Sequence, residues 1–314
     1  MQLAIVLVNW NSGPLLRQCL ESLVPSVRVL GAELERVVVV DNGSSDGSAD
    51  FIPDPCLKCH VIRNGENRGF AVACNQGARE CSADYLLFLN PDTRVEENSL
   101  VGVLNFLESA EGQPYCIAGI QGVDDDGVVQ RTCARFPTPL TMLGNALGID
   151  RLLPSLVPSH FLADGEHRHD RDVDQVIGAF FMIRRRAFVE LKGFDERFFV
   201  YYEELDLSYR ARQRGWKTRY LTGFRFFHEG GGTSAQIKAR RLFYVTRSRL
   251  QYAYKHFGRW RGTLLLVAAL ILEPLIRCAH AAARRDYTRV RETLVGYRML
   301  LGASAGILRA GLRR

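Results

Sequence analysis

Two unbroken β-branched runs constrain this 314-residue chain more than any other feature: "LAIVLV" at 3–8 and "VVVV" at 37–40. Strands that read as continuous Val, Ile and Leu are buried on both faces, as happens where helices cover both sides of a parallel sheet. Between them, Leu15, Leu16, Cys19, Leu20 and Leu23 follow Pro14 at helical steps. Strand, helix, strand is a βαβ unit. "HVI" at 60–62, a helix near 69–81 and "YLLFL" at 85–89 repeat the alternation. The first hundred residues therefore predict a mostly parallel sheet with covering helices, an α/β fold. An apolar content of 47% suffices for a sizeable core.

Sheets of this kind bind ligands at the carboxyl ends of their strands, and the unusual residues fall there. "NWNSG" follows the first strand, "DNGSSDGS" the second and "NPDT" the fourth. No G-x-G-x-x-G follows strand one and there is no G-x-x-x-x-G-K-[ST] loop, which removes the main support for a dehydrogenase or P-loop reading. Asp41 closes the valine strand, where its oxygens can accept hydrogen bonds from a base or ribose, although the same segment is good turn chemistry. A calcium loop is excluded because position twelve is Ile52 rather than Glu. Asp92 follows an apolar strand and a proline. A carboxylate so presented toward a diphosphate suits Mg2+ or Mn2+, while Asn-Pro-Asp is equally an ordinary turn.

Further along, "FVYYEELDLSYR" (199–210) sets Glu203, Glu204 and Asp206 directly after an aromatic, strand-like run. Buried aromatics draw neighbouring acids toward low dielectric, where their protons are held more tightly. Asp206 and Arg210 stand at i, i+4 with the acid first, the spacing of an intrahelical ion pair. Glu203 lies about 100° around the helix from Glu204, a position from which it can support a site or only complement the helix N-terminus. His228 leaves an aromatic strand and meets three glycines, which let a loop approach phosphate closely. Between 121 and 174 the pattern weakens: "DDDG" predicts a hairpin turn, and "ADGEHRHDRDVD" a solvated loop rather than a metal site. "QVIGAFFMIRRRAF" (175–188) predicts one buried strand running into a basic helix start.

Seven segments, "VNWNS", "VVVVDNGSSDGS", "NRGFAVACNQG", "LLFLNPDT", "GAFFMIRRRAF", "GFDERFFVYYEELDLSYRARQRGW" and "HEGGGTS", stand in order over residues 3–256. In order and spacing they resemble the inverting family-2 glycosyltransferases of GT-A fold, in particular the bacterial rhamnosyltransferase-like branch. The resemblance implies metal-dependent transfer of a sugar, rhamnose in that branch, from a nucleotide-diphosphate donor to a hydroxyl of a surface glycan or its lipid-linked precursor. It implies that Asp41 contacts the nucleotide base and that the D-x-D element falls on Asn90 and Asp92. Asn90 departs from that pattern, which leaves Asp92 and His228 to meet Mg2+ or Mn2+. Asn9, Asn11, Asn67, Gly69 and Asn75 are implied to line the substrate, with Glu203 and Asp206 beside them. The catalytic base is implied at Glu204, where the family's Glu-Asp pair reads Glu-Glu. A catalytically silent nucleotide-sugar or membrane-binding scaffold and a sugar nucleotidyltransferase remain as alternatives.

The net charge of +7 is unevenly spread. From Ser234 onward there are 17 Lys/Arg against 3 Asp/Glu, a local +14, and residues 1–233 carry 24 against 31, or −7. We therefore expect an enzyme domain over 1–233 and a basic helical region over 234–314 that meets an anionic membrane surface; nucleic acid has no role in this reading. "TLLLVAALIL" (263–272) is half a bilayer span and is followed by Glu273-Pro274. No basic leader opens the chain, and eight scattered cysteines predict reduced thiols in a cytoplasmic protein. "CLKCH" (56–60) has haem-attachment spacing but reads as a loop entering a strand.

Overall fold

All seven residues of β1 (Leu3–Asn9) are buried, and the architecture is built around that strand. The described residues of this computed structural model are 1–51, 53–151, 153, 155, 157–229 and 237–312. After β1 come α1 (Leu15–Leu30), β2 (Leu34–Asp41), β3 (Cys59–Arg63), α2 (Phe70–Arg79), β4 (Tyr85–Leu89), β5 (Thr93–Val95) and α3 (Ser99–Glu108). The chain continues through β6 (Tyr115–Val123), β7 (Cys133–Ala134), α4 (Pro139–Ala146), β8 (Arg171–Val173), β9 (Gln175–Val176), β10 (Phe180–Arg184) and α5 (Arg185–Glu190). It ends with α6 (Glu203–Gln213), β11 (Lys217–His228), α7 (Lys238–Phe257), α8 (Arg259–Ala283) and α9 (Tyr287–Leu312). These form two compact units. The first comprises Met1–Phe136, Phe161–Glu196 and Glu203–Thr233, and the second Pro137–His160, Arg197–Tyr202 and Ser234–Arg314.

In the first unit the strand order is β3-β2-β1-β4-β10-β6-β11-β5, with β8 also on β11. β1 pairs in parallel with β2 and β4, and β2 with β3, as the valine-rich runs predict. Alternate side chains of each strand go to opposite faces. Leu3, Ile5, Leu7, Val37 and Val39 pack under α1 and α3. Ala4, Val6, Val8, Val38 and Val40 pack under α2, α5 and α6. Each fully buried Val, Leu or Ile contributes about 1.5–3 kcal/mol, which favours the apolar runs 3–8 and 37–40 on both faces of these strands.

Beyond β4 the sheet turns mixed. β10 runs antiparallel to both β4 and β6, and β11 runs parallel to β6 but antiparallel to β5. The predicted single strand over 175–188 is broken: β9 stops at Val176 and β10 starts at Phe180. The strand-like run 199–202 is a bend instead, in which Tyr201 and Tyr202 take left-handed φ values of 67° and 72°. "DDDG" is the expected turn, closed by Asp124 N–H on the Val128 carbonyl. The 163–174 segment is less solvated than expected. His167 is fully buried, its Nε2 accepting from the N–H groups of Thr132 and Cys133 and its Nδ1 meeting the Ala163 carbonyl. Burial holds this imidazole below its ordinary pKa and hence neutral.

In the second unit α7, α8 and α9 pack on one another and α4 packs on α8. The apolar run 263–272 is the middle of a 25-residue helix, α8, which by length and composition is long enough to cross a membrane. It continues through Pro274 because a helix interior gives up one backbone hydrogen bond there without having to end. Glu273 is fully buried in it and ion-paired to Arg249 of α7 and to Arg277. Burial raises that carboxyl, but the two guanidiniums override it and hold the group below the usual range.

The approach of α2 to the sheet yields a first prediction. A Cβ on Gly77 would lie 2.5 Å from Val6 Cγ1 and 3.2 Å from Val40 Cγ2, both on central strands that cannot retreat. Gly77→Ala is expected to cost about 1–3 kcal/mol in urea unfolding; an unchanged midpoint would contradict this packing.

Candidate active site

The site begins with a buried amide. Asn9, the last residue of β1, has no solvent exposure, so its side chain must find partners inside the protein. Its Nδ2 donates to Asp41 Oδ1 at 3.0 Å, Ser44 Oγ at 3.1 Å and Ser48 Oγ at 2.9 Å, and its Oδ1 accepts from Ser12 Oγ. The loops after β1 and β2 are thereby tied together at the carboxyl edge. Asn11, at φ 48°, extends the tie by accepting from the Ser45 N–H at 2.8 Å. Asp41 is 5% exposed.

A second network reads the start of α2. Asn42 donates to Asn67 Oδ1 and to the Gly69 carbonyl, and its own Oδ1 accepts from Asn64 Nδ2 and the Arg68 N–H. Gly69 caps α2 at φ 90°, a conformation that favours glycine. Asn67 and Gly69 thus stand with Asp41 at one edge, and Asn42 is their missed organiser, since "DNG" reads as turn chemistry alone. Asn75 is directed elsewhere. Its amide donates to the Phe194 carbonyl and Glu196 and accepts from the Phe194 N–H, so its polar atoms are taken up in anchoring the 194–196 segment rather than facing a substrate.

Asp92 and His228 are brought together by pairing of β5 with β11, in which Thr93 faces His228. Asp92 Oδ1 lies 3.5 Å from His228 Nε2, with the side chains 11% and 14% exposed. That buried oxygen has no hydrogen-bond partner, which costs about 1–3 kcal/mol if left so. An orphaned carboxylate oxygen beside an imidazole fits a divalent cation held by few protein ligands together with phosphate oxygens. Among the described residues no group of three or more His, Cys, Asp and Glu is placed to hold a metal ion by itself. A cleft of about 300 Å3 opens here, lined by Pro91, Asp92, Arg94, Asp125 and Glu229 among others. A larger cavity, about 560 Å3, lies between α1 and residues 50–57, and none of the predicted site residues lines it. Asn90 is partly exposed, and its backbone N–H donates to the Ala179 carbonyl. The glycine loop 230–232 lies outside the described residues.

The three carboxylates of α6 separate by environment. Asp206 is fully buried and bonds Arg210 Nε at 2.7 Å, and Arg210 in turn binds the carbonyls of Leu191 and Gly193. It is the ion pair that its spacing predicts, and this assigns it to holding α6 rather than to contacting substrate. Glu203 is 4% exposed. Glu204 alone is partly open. Each glutamate keeps one buried oxygen without a partner. Burial raises both, Glu203 further because Glu204 and Asp206 add like charge. For Glu204 the backbone N–H groups of Glu204, Leu205 and Gly178 work against that rise. Gly178, in the break between β9 and β10, was not singled out from the sequence; a Cβ there would stand 3.9 Å from Glu204 Cδ. Its one sequence signal is a glycine interrupting an apolar run.

An α/β sheet covered on both faces, with amides and carboxylates gathered at the carboxyl ends of its strands, has the GT-A glycosyltransferase fold. The chain belongs to glycosyl transferase family 2, whose profile matches residues 4–192. Over 282 residues it is 25% identical to the N-acetylglucosaminyl-diphospho-decaprenol L-rhamnosyltransferase of Mycobacterium tuberculosis, covering 83% of this chain and 87% of that relative. It is 27% identical over 192 residues to rhamnosyltransferase WbbL of Escherichia coli, 60% and 69% of the two chains. Among solved structures it resembles mannosyltransferase PcManGT from Pyrobaculum calidifontis in complex with GDP-Man and Mn2+, with a TM-score of 0.54, 15% identity and coverage of 95% and 86%. That likeness speaks to the fold. The family profile ends before α6, so the roles of its carboxylates rest on geometry.

The burial of Glu203 has a measurable consequence. A carboxyl whose folded pKa is raised stabilises the protein fully below its unfolded value, about 4.3, and loses that contribution as pH rises through the folded value. Glu203→Gln is therefore expected to melt above the parent at pH 8, with the gap closing as pH falls toward about 4.5. Scanning fluorimetry across that range checks it, and a parent that is the more stable at pH 8 refutes it.

Proposed function

We propose that this chain is an inverting glycosyltransferase that moves rhamnose from a deoxythymidine-diphosphate donor to a hydroxyl of a lipid-linked glycan precursor at the cytoplasmic face of a membrane. The observation that carries the chemistry is that Glu204, alone among three clustered carboxylates, is partly exposed. The sugar and acceptor are suggested by the M. tuberculosis relative, and membrane-surface attachment by the basic C-terminal region.

In this reading Asp41 accepts hydrogen bonds from the nucleoside while the Asn9 network holds its carboxylate in place. Asp92 and His228 would hold the divalent ion, Mg2+ or Mn2+, whose chemistry when bound would be to offset the charge of the leaving diphosphate. Glu204 takes the proton of the acceptor hydroxyl as its oxygen attacks the anomeric carbon from the face opposite the nucleotide. The bond from that carbon to the diphosphate oxygen breaks, the nucleoside diphosphate leaves with the electron pair, and the configuration inverts. A base works best with a proton affinity raised toward the working pH; burial moves Glu204 in that direction, and three backbone N–H groups oppose it.

Glu204→Gln keeps size and removes basicity. Donor binding is expected to persist while turnover falls about 10²–10⁴-fold; near-parental turnover, or the loss appearing instead in Asp206→Asn, would sink the assignment.

Asp92→Asn is expected to weaken donor binding only when Mg2+ or Mn2+ is present, because an amide is a poor ligand for a hard cation. Asp41→Ala is expected to weaken it with or without metal. Calorimetry with dTDP and dTDP-rhamnose separates the two, and equal metal dependence of both losses would overturn this division of labour.

A further inference from the structure

The second unit carries an apolar surface that sugar transfer does not use. On α8, Trp260, Leu264, Val267, Ile271 and Leu275 recur at steps of three and four, so they lie along one side. They are 90%, 61%, 49%, 55% and 64% exposed, and Leu272 and Ile276 widen the stripe. A contiguous exposed apolar surface of this kind marks an interaction site. Its charge surroundings point to one kind of partner. Exposed Arg259 and Arg261 stand at one end and exposed Arg284 and Arg285 at the other, and the one acid within α8, Glu273, is fully buried.

The opposite side of the same helix is committed to protein. Leu265, Leu266, Ala268 and Ala269 are buried, and Glu273 is ion-paired to Arg249 on α7. Although α8 is long enough to span, burying it across a bilayer would carry that ion pair, and with it the basic helix α7, into hydrocarbon, where charges are costly. A helix with one apolar side, one protein-bound side and arginines at both ends lies in the interface plane.

We propose that α8 is an in-plane anchor. Its Trp260–Leu275 stripe enters the acyl boundary of an anionic bilayer, and the terminal arginines meet lipid phosphates. This rests on, and deepens, the reading of the basic region as membrane-facing. Attraction by charge alone would vanish near ~1 M salt, where the Debye length is about 3 Å, whereas an inserted apolar stripe keeps a salt-resistant share of binding.

The test uses the full chain with vesicles of phosphatidylcholine, with and without a third of phosphatidylglycerol, sedimented across a salt series. Parent protein is expected to pellet with the anionic vesicles and to remain partly bound at the highest salt. Bromine placed near the headgroups is expected to quench its fluorescence more than bromine at the chain ends, and Trp260→Phe to remove that quenching. Leu264→Glu with Ile271→Glu is expected to lower partitioning at least about tenfold without lowering the melting temperature, since both side chains are exposed; Leu264→Ser with Ile271→Ser serves if the charged pair unfolds. Complete release by salt, unaltered by these substitutions, would overturn insertion and leave the charge-based reading standing. No pelleting at any salt would overturn both. A lipid-free dimer that the same substitutions dissociate would assign the stripe to a second copy of the chain and overturn the proposal.

Discussion

Burial of β1 on both faces is the constraint on which the rest depends. A strand hidden by α1 and α3 on one side and α2 on the other cannot end in an unpaired polar group, yet it ends in Asn9 at zero exposure. The cost is avoided by giving that amide four partners, and those partners are the loops that present Asp41. Core packing and the carboxyl edge are therefore one structure. The hydrogen bonds that make the strand end tolerable also orient a carboxylate of the site.

The backbone and the sheet depart from regularity around the carboxylates of α6. Tyr201 and Tyr202 take left-handed backbone angles immediately before α6, the sheet breaks at Gly178, and two glutamates keep unpartnered buried oxygens. Each departure costs stability that a neutral, well-packed substitute would recover. Asp206 shows the contrast. It stands on the same turn, but Arg210 satisfies it, and Arg210 fastens α6 to the 191–193 carbonyls. One carboxylate of α6 secures the helix, while the two glutamates before it keep unpartnered oxygens.

Much of this was legible locally. The Val and Leu runs of β1, β2 and β4 announce burial on both faces, because a period-2 pattern disappears only when neither face meets water. The placement of Asp41 and Asp92 after those runs follows from strand ends alone. The Asp206–Arg210 pair follows from helical spacing. These signals involve residues within a few positions of one another, and their physics is complete before the chain folds.

What the tertiary structure decided involves segments far apart. Asp92 meets His228 only because β5 pairs antiparallel with β11 across more than a hundred residues. Gly178 faces Glu204 only because the strand expected over 175–188 breaks there. Which of two adjacent glutamates is open, and that Asn75 serves the scaffold, depended on what packed around them. The apolar run of α8 read as half a span, and only folding showed a longer helix with one side buried and the other bare. Strand runs and helical spacings are written in neighbouring residues, whereas exposure and register belong to whichever distant surface arrives.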